Sequence, residues 1–293
     1  MHTPALPSSP ATALLAISAA ALLLASHATL DAQTVAVARS GDGLRIEIDG
    51  ALFTEYATSG TTNPNFYPVI GPDGVGLTRE FPAPAGVTVD HPHHHSIWIA
   101  HDGVNGVNFW AVGPDAGHVE HTGFTNVKAN GASASFTAQA KWLTPQGDVV
   151  LNDERRCIIT ALPEGARQID LSVTLAANAD AVTFRDTKEG TVAIRVAPWL
   201  AASGNKYNTQ GGRGHILTSA GLADAKAWGT RAKWVSYYGP DPSGQPVCLT
   251  MMDHPANLRH PTWWHVRTYG LFAANPFGQH DFEADKEHPH KGD

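Results

Sequence analysis

Five of the 16 histidines in this chain fall within the twelve residues DHPHHHSIWIAH, from Asp90 to His101. Imidazole titrates near neutral pH and its nitrogens bind transition metals, so this segment suits either proton transfer or metal binding. Alternate histidines of an extended strand share one face and can chelate a metal, but the chain has no HExxH motif and no cysteine-containing zinc motif. We therefore expect no cofactor, with a bound metal as the alternative.

A second segment, MDHPANLRHPTWWHVRTYG, repeats the Asp-His-Pro triplet far downstream. Asp253 and His254 correspond in it to Asp90 and His91. A carboxylate beside an imidazole at a proline-stiffened turn can take part in acid–base chemistry, or the aspartate can simply accept backbone hydrogen bonds within the turn. Both interpretations stay open.

Two further charged residues stand out between these segments. Glu189 follows a predicted strand in DTKEG, where it can act as a base or form an ordinary polar turn, and Arg195 interrupts the apolar strand TVAIRVA. A charge inside an apolar strand needs a partner, either Glu189 or an anionic group of a ligand.

We predict that the Asp90–His95 and Asp253–His265 segments meet in one pocket beside Glu189, with His94 and His265 no more than about 15 Å apart. Because side chains alternate along a strand, His94 is expected to face the pocket and His91 and His95 the opposite side. His94 and His265 are the acid–base candidates, and Glu189 is their carboxylate partner. The expected substrate contacts are His93, His101, Arg195, Asp253, His254, Arg259, His260 and Trp264.

The elements that must position these residues are β-strands. LRIEIDG alternates apolar and polar residues, and runs such as ERRCIITAL and RQIDLSVTL recur at intervals of roughly ten residues, as in sandwiches and barrels. Only SAGLADAKAW, residues 219–228, has a helical pattern. The sequence predicts an all-β antiparallel sandwich, with a single domain over residues 34–293.

The amino-terminal segment predicts export. An apolar run over residues 11–25 ends at a small-residue cleavage site, so residues 1–28 are expected to be a signal peptide, with cleavage after Ala32 as the second choice. The mature protein is then periplasmic or secreted, and no later run is long enough to span a membrane. In that oxidising compartment, Cys157 and Cys248 are expected to be inert thiols rather than a disulfide.

The charge balance narrows the range of partners. The formal net charge is −7 and no basic block is present, which argues against nucleic acid and favours a neutral polar small molecule.

Several long motifs occur in the order GPDGVGLTRE, DHPHHHSIWIAHDGVNGVNFW, DTKEGTVAIRVAP, AWGTRAKWVSYYG and DHPANLRHPTWWHVRTYGLFAANPFG. Together they resemble a family of exported bacterial proteins of unknown function that is also called methane oxygenase PmoA-like. The resemblance covers about residues 35–285. That family usually has arginine where this chain has His95. Methane oxidation is not implied, because a particulate methane oxygenase subunit crosses the membrane several times.

The family is similar in architecture to the galactose-mutarotase-like supersandwiches, which handle sugars with paired histidines and a carboxylate on the face of a large sheet. This resemblance implies a carbohydrate-active enzyme that uses acid–base chemistry as an epimerase, lyase or hydrolase. The alternatives are a non-catalytic sugar-binding module and a metal-dependent oxidoreductase.

Overall fold

β-Strands dominate the computed structural model, which describes residues 33–178 and 180–280 of the 293-residue chain. The predicted signal peptide lies outside the described residues. The strands are β1 Val35–Ser40, β2 Gly43–Ile48, β3 Ala51–Ala57, β4 Asn65–Val69, β5 Ile97–Val104, β6 Val107–Asn108, β7 His118–Asn130, β8 Ser133–Leu143, β9 Val149–Ala161, β10 Arg167–Ala177, β11 Gly190–Arg195, β12 His215–Thr218, β13 Thr230–Arg231, β14 Trp234–Pro240, β15 Pro246–Met252, β16 Trp263–Arg267 and β17 Leu271–Asn275.

These strands form three antiparallel sheets. The largest has ten strands in the order β1-β2-β3-β4-β5-β11-β17-β16-β13, with β6 paired to β5 at the side. A four-stranded sheet has the order β10-β9-β8-β7, and a three-stranded sheet has the order β12-β14-β15. The predicted all-β antiparallel sandwich is confirmed.

One face of the ten-stranded sheet packs against both smaller sheets, and we call it the core face. Apolar residues of β1 to β4, such as Leu44 and Ile46, pack with Phe136 and Ile159 of the four-stranded sheet. Farther along the sheet, residues of β11, β16 and β17 form a second cluster with residues of β12 and β14. Burial of these alternating apolar side chains is the main stabilising contribution to the sandwich.

The opposite face of the same sheet carries the side chains of interest, and we call it the site face. Across four neighbouring strands, Trp98 of β5 is paired with Ala193, Ala193 with Ala273, and Ala273 with His265. Directly opposite residues of neighbouring strands share a face, so these four side chains lie in one row. Two alanines therefore separate an indole from an imidazole.

The predicted helix over residues 219–228 is largely wrong. Only a short 3-10 turn, Asp224–Ala227, occurs there, together with an isolated bridge between Leu217 and Ala223. The Asp224 carboxylate accepts a hydrogen bond from the backbone N–H of Ile216 at 2.8 Å, and Gly221 has a positive φ. This local bonding favours a turn over a continuous helix.

The two cysteines are free thiols, Cys157 buried in β9 and Cys248 exposed in β15. The helical segments of residues 33–178 and 180–280 are all too short or too polar to cross a membrane.

Candidate functional site

A buried ion network fixes the loop that precedes β5. Asp90 Oδ1 accepts hydrogen bonds from Arg79 at 2.8 Å and from Arg195 at 2.6 Å, and its Oδ2 accepts one from Asn205 at 3.0 Å. The Arg79 guanidinium also donates to the carbonyl oxygens of Asp90, His91 and His94, each at 2.8 Å. Arg79 thus holds the histidine loop by its backbone.

The ionised form of Asp90 is strongly favoured in this network. Burial alone would raise the pKa of the Asp90 carboxyl, but the hydrogen bonds and charges of His91, Arg195 and Asn205 outweigh it and hold the pKa well below its usual range. The expected partner of Arg195 was Glu189 or a ligand anion, and the structure shows Asp90 instead.

The histidines of this loop form a stack rather than an alternating strand. His91 has a positive φ of 41°, and the backbone N–H of His94 donates to the His91 carbonyl at 2.9 Å, which closes a turn. The His91 ring therefore stacks on the His94 ring, with centroids 4.7 Å apart and planes at 9°. The His91 ring also stacks on Tyr269, with centroids 4.9 Å apart. The prediction that His91 faces away from His94 is wrong, because the turn breaks the strand period.

His95 does face another way. Its ring stacks on Phe81 at 4.1 Å, and its Nδ1 lies 3.3 Å from Asn65 Nδ2. His93 contacts the edge of the His94 ring at 4.6 Å. Burial, together with the charges of His91 and Arg79, lowers the pKa of His93 to about 4, so this imidazole is neutral at pH 7.

His94 is buried at the centre of the stack. Arg195 donates to His94 Nδ1 at 3.0 Å, which makes Nδ1 an acceptor and leaves the ring proton on Nε2. Burial and the Arg195 charge lower the pKa of His94 well below its ordinary value. His94 is therefore a neutral ring held in one orientation.

Trp110 joins the two histidines that we predicted to act together. Its ring centroid lies 5.7 Å from that of His94 and 6.2 Å from that of His265. The distance between the His94 and His265 centroids cannot exceed the sum of these two distances. This is less than the separation of about 15 Å that was predicted as the limit for one small-molecule site.

His265 lies between an arginine and a carboxylate. Arg267 Nε donates to His265 Nε2 at 3.3 Å, so the neutral ring carries its proton on Nδ1, which lies 3.7 Å from Glu189 Oε2. Burial and the charges of Arg267 and Lys188 lower the pKa of His265 well below its ordinary value. The predicted proximity of His265 and Glu189 is observed.

Glu189 differs from His93, His94 and His265 because its pKa is raised toward neutral pH, whereas theirs are lowered. Its side chain is 30% exposed, so solvent and ligands can reach it. Burial raises the pKa of the Glu189 carboxyl to about 7, in spite of the opposing charges of Lys188 and Arg267. Near neutral pH this carboxyl is present in both protonation states.

Two of the predicted substrate contacts lie on the core face. Trp264 is fully buried in the cluster behind the sheet, and its Nε1 donates to the Ala232 carbonyl at 2.8 Å. His101 is also fully buried, with Nε2 donating to the Arg185 carbonyl at 2.9 Å and its ring against Phe184 and Phe277. Strand alternation directs both side chains away from the site face, which corrects their assignment to substrate binding.

The second Asp-His-Pro segment forms a turn with bonds of its own. Asp253 Oδ2 accepts from His260 Nδ1 at 2.7 Å and from the backbone N–H of Thr262 at 2.8 Å. The exposed His254 uses its Nδ1 to accept the backbone N–H of Ala256 at 3.1 Å. The exposed Arg259 donates to the Pro276 carbonyl at 3.1 Å. These bonds match the interpretation of this triplet as a structural turn. Of this segment, we include His265 in the candidate site.

Several site residues were missed at the sequence level: Arg79, Asn205, Trp110, Trp228, Arg267 and Tyr269. Trp228 contacts the edge of His265 at 4.9 Å, and the Arg267 guanidinium lies 3.7 Å from the Trp228 ring centroid. Each belongs to a segment that interrupts the strand pattern, such as VNFW, AWGTR or HVRTYG, which was the available signal.

The histidines of the site are not arranged as metal ligands. Within residues 33–178 and 180–280, no group of three or more His, Cys, Asp or Glu side chains could hold a metal ion.

Fold and site together define an all-β sandwich protein with a histidine, arginine and glutamate cluster on one face of its largest sheet. The chain belongs to DUF6807, a family of unknown function, which matches residues 43–291. No curated protein and no solved structure matches the chain.

Proposed function

We propose that this chain is an exported carbohydrate-active enzyme that transfers protons at a sugar or sugar derivative, as an epimerase, lyase or hydrolase. Glu189 is the group that exchanges the proton. The observation that carries the proposal is the partly exposed Glu189 carboxyl, with its pKa raised to about 7, 3.7 Å from the Nδ1 of a neutral His265.

A pKa near the working pH is what acid–base catalysis needs. At neutral pH a group with this pKa is available both as a proton acceptor and as a proton donor, and such groups contribute about 10²- to 10⁴-fold in rate. A buried ion pair that is merely structural usually has its carboxyl pKa lowered, as Asp90 does.

We propose roles for His94 and His265 other than the acid–base roles predicted from the sequence. His265 uses Nε2 to accept from Arg267, and its Nδ1 side faces Glu189, so it is a positioning residue for the carboxyl. His94 accepts from Arg195 and lies beneath His91, so it positions the stack. The proton transfer is therefore assigned to Glu189, with the partly exposed His91 on the solvent side of the stack.

The surroundings of Glu189 suit a sugar. Trp228 is partly exposed, and its ring centroid lies 4.9 Å from that of His265, the neighbour of Glu189. A partly exposed aromatic ring of this kind can pack against the apolar face of a sugar.

The number of available carboxylates favours epimerase or lyase chemistry over hydrolysis. Glycoside hydrolysis generally uses two carboxyl groups on either side of the bond. Here Asp90 is held ionised by Arg79 and Arg195, which leaves Glu189 as the titrating carboxyl of this cluster.

A galactose-mutarotase-like architecture is part of the same proposal, and what supports it is that histidines and a carboxylate share one face of a large antiparallel sheet. We also propose that the mature protein acts in the periplasm or outside the cell, on a small-molecule carbohydrate, without nucleic acid, membrane or cofactor.

Proton exchange into the sugar tests the proposal. The purified protein is incubated with a panel of mono- and disaccharides in D₂O, and loss of individual C–H signals is followed by proton NMR. We expect exchange or product formation that is abolished by Glu189→Gln and retained by Glu154→Gln, which changes an exposed glutamate of β9.

The alternative functions give different results in the same experiment. A sugar-binding module binds a sugar without exchange, and Glu189→Gln leaves its affinity unchanged. A metal-dependent oxidoreductase is purified with stoichiometric iron or copper and loses activity with a chelator. Either result overturns the proposal.

A further inference from the structure

Strand β10 is the outermost strand of the four-stranded sheet. It has eleven residues, Arg167–Ala177, and it pairs with β9 on one side. Within residues 33–178 and 180–280, no strand is paired to its other side, which we call the free edge. At roughly 3.4 Å per residue, the free edge is about 37 Å long.

The bonds at the two ends of β10 show which backbone groups point to the free edge. The Leu162 N–H donates to the Ala166 carbonyl at 2.8 Å, and at the far end the Asn178 N–H donates to the Val150 carbonyl at 3.4 Å. The register between these bonds has no shift, so hydrogen-bonded pairs alternate regularly and the even-numbered residues of β10 bond to β9. In the part of the chain that the structure describes, no backbone bond uses the groups of the odd-numbered residues, which point to the free edge: Arg167, Ile169, Leu171, Val173, Leu175 and Ala177.

Apolar side chains along the free edge are only half-buried. Ile169 and Leu171 pack against the core between the sheets, but both keep part of their surface exposed. Their partners on β9, Ile159 and Cys157, are fully buried. A strand added at the free edge would therefore bury apolar surface as well as pair the backbone.

The opposite edge of the same sheet differs from β10. Strand β7 has two register shifts against β8, one between His121 and Gly123 and one between Thr125 and Lys128. Bulges, glycines and lysines of this kind discourage an edge strand from pairing with another chain. β10 has no register shift, no proline, no glycine and no lysine. Only one of the two edges of this sheet is protected against pairing.

The sequence of β10 is complementary to a second copy of itself. Opposite residues of antiparallel strands share a face, and groups at one free edge must meet groups at the other, so odd-numbered residues must face odd-numbered ones. Of the registers that satisfy this condition, the one centred on Ser172 pairs all eleven residues. Ser172 then faces its own copy, and the other pairs are Leu171 with Val173, Ile169 with Leu175, Asp170 with Thr174, Gln168 with Ala176 and Arg167 with Ala177. Apolar residues face apolar residues, and no like charges meet.

We propose that this protein is a two-fold symmetric dimer in which β10 of one copy pairs antiparallel with β10 of a second copy, centred on Ser172. The two four-stranded sheets become one continuous eight-stranded sheet. The dimer goes beyond the proposed function and does not depend on it. The interface belongs to the layer behind the core face and uses no residue of the candidate site.

Charge substitutions on the exposed face of β10 test the dimer. Sedimentation equilibrium of the mature protein at about 100 µM should give twice the monomer mass. Ser172→Lys places two lysines opposite each other at the two-fold axis and should raise the dimer dissociation constant at least about tenfold. Thr174→Lys adds the same charge to the same exposed face but opposite Asp170, so its dimer should persist. Circular dichroism checks that both variants are folded.

Cross-linking tests the register independently of any charge. The even-numbered residues form the non-hydrogen-bonded pairs of the interface, with Cα atoms about 4.5 Å apart, which permits a disulfide between two copies of residue 172. The test uses Cys248→Ser to remove the exposed thiol, while Cys157 is buried. In this background, oxidised Ser172→Cys should give a covalent dimer on a non-reducing gel. Gln168→Cys should give none, because residue 168 faces Ala176 rather than its own copy.

Each other outcome overturns a defined statement. A monomer at the same concentration overturns the dimer, including a monomer that binds an unrelated extended peptide along β10. A dimer that folded Ser172→Lys leaves as tight as the wild type overturns the use of β10. Covalent dimers formed by Gln168→Cys but not by Ser172→Cys overturn the register.

Discussion

Arg195 of β11 donates a hydrogen bond of 2.6 Å to Asp90, a residue 105 positions earlier in the chain. This bond connects the histidine loop to the centre of the large sheet. Because the same Asp90 oxygen also accepts from Arg79, one carboxylate determines where the rings of His91 and His94 lie. The position of the site therefore depends on a residue that need not touch a ligand.

Removing the charge of Asp90 should destabilise the protein strongly. In Asp90→Asn, two buried guanidinium groups lose their common anion, which costs about 3–5 kcal/mol in the free energy of unfolding. Urea denaturation at pH 7 measures the loss. The matched Asp73→Asn changes an exposed aspartate and should alter the free energy by less than about 0.5 kcal/mol. Equal effects of the two substitutions would contradict the role of the network.

Replacing Glu189 by glutamine should remove activity without unfolding the protein. The amide cannot exchange a proton at neutral pH, so kcat is expected to fall by about 10²-fold or more, while the circular dichroism spectrum stays the same. A loss of less than about threefold would show that another group transfers the proton.

Stability should depend on pH through the same carboxyl. Its pKa is raised from 4.5 to about 7 in the folded protein, so between these values the folded state binds more protons than the unfolded state, and stability falls as the pH rises. Glu189→Gln removes this fall. Relative to the wild type, the variant should gain little at pH 4.5 and about 1–2 kcal/mol at pH 8, after allowance for the partial exposure of the side chain. Thermal unfolding across this range measures the difference.

A close approach beside Glu189 gives a steric prediction. A Cβ added to Gly190 would lie 2.2 Å from His101 Nδ1, and His101 is fully buried. Gly190→Ala should therefore displace the neighbouring Glu189, lower kcat and cost about 1–3 kcal/mol of stability. Gly76→Ala is the control, since its added Cβ meets nothing within 4 Å. Activity of Gly190→Ala equal to that of the control would contradict the expected displacement.

Export can be tested directly. The full chain is expressed in a bacterial host and the amino terminus of the secreted or periplasmic protein is sequenced. We expect it to begin at Thr29, or at Gln33 if the second cleavage site is used. A soluble cytosolic protein that retains Met1 would contradict the predicted signal peptide.

The sequence predicted the sandwich because strand periodicity is a local property. LRIEI, ERRCIITA and RQIDLSVTL lie in β2, β9 and β10, and the Asp49-Gly50 pair that follows LRIEI forms the turn after β2. The residues 219–228 also had a periodic pattern, yet side-chain bonds to the backbone made them a turn. Patterns in short segments are weak where such bonds compete with the helix.

The candidate site was predictable only in part, because faces and turns depend on the rest of the fold. Adjacent Trp263 and Trp264 must face opposite sides, but nothing local indicated that Trp264 faces the core. The turn at His91 reversed its expected direction. Arg79 binds carbonyl oxygens of the histidine loop, and this contact forms only when the loop folds over Arg79. The periodicity of a single strand contains no information about such a contact.

The two buried alanines of the site face separate two demands on this protein. Ala193 and Ala273 are fully buried and pack with Trp98 and Trp110, so their small side chains let these rings lie close to the main chain of the sheet. The partly exposed groups of the site, such as Glu189 and Trp228, lie instead next to strand ends, before β11 and β13. A substitution among these exposed groups can therefore change what the site binds while the packing of the sheet stays the same.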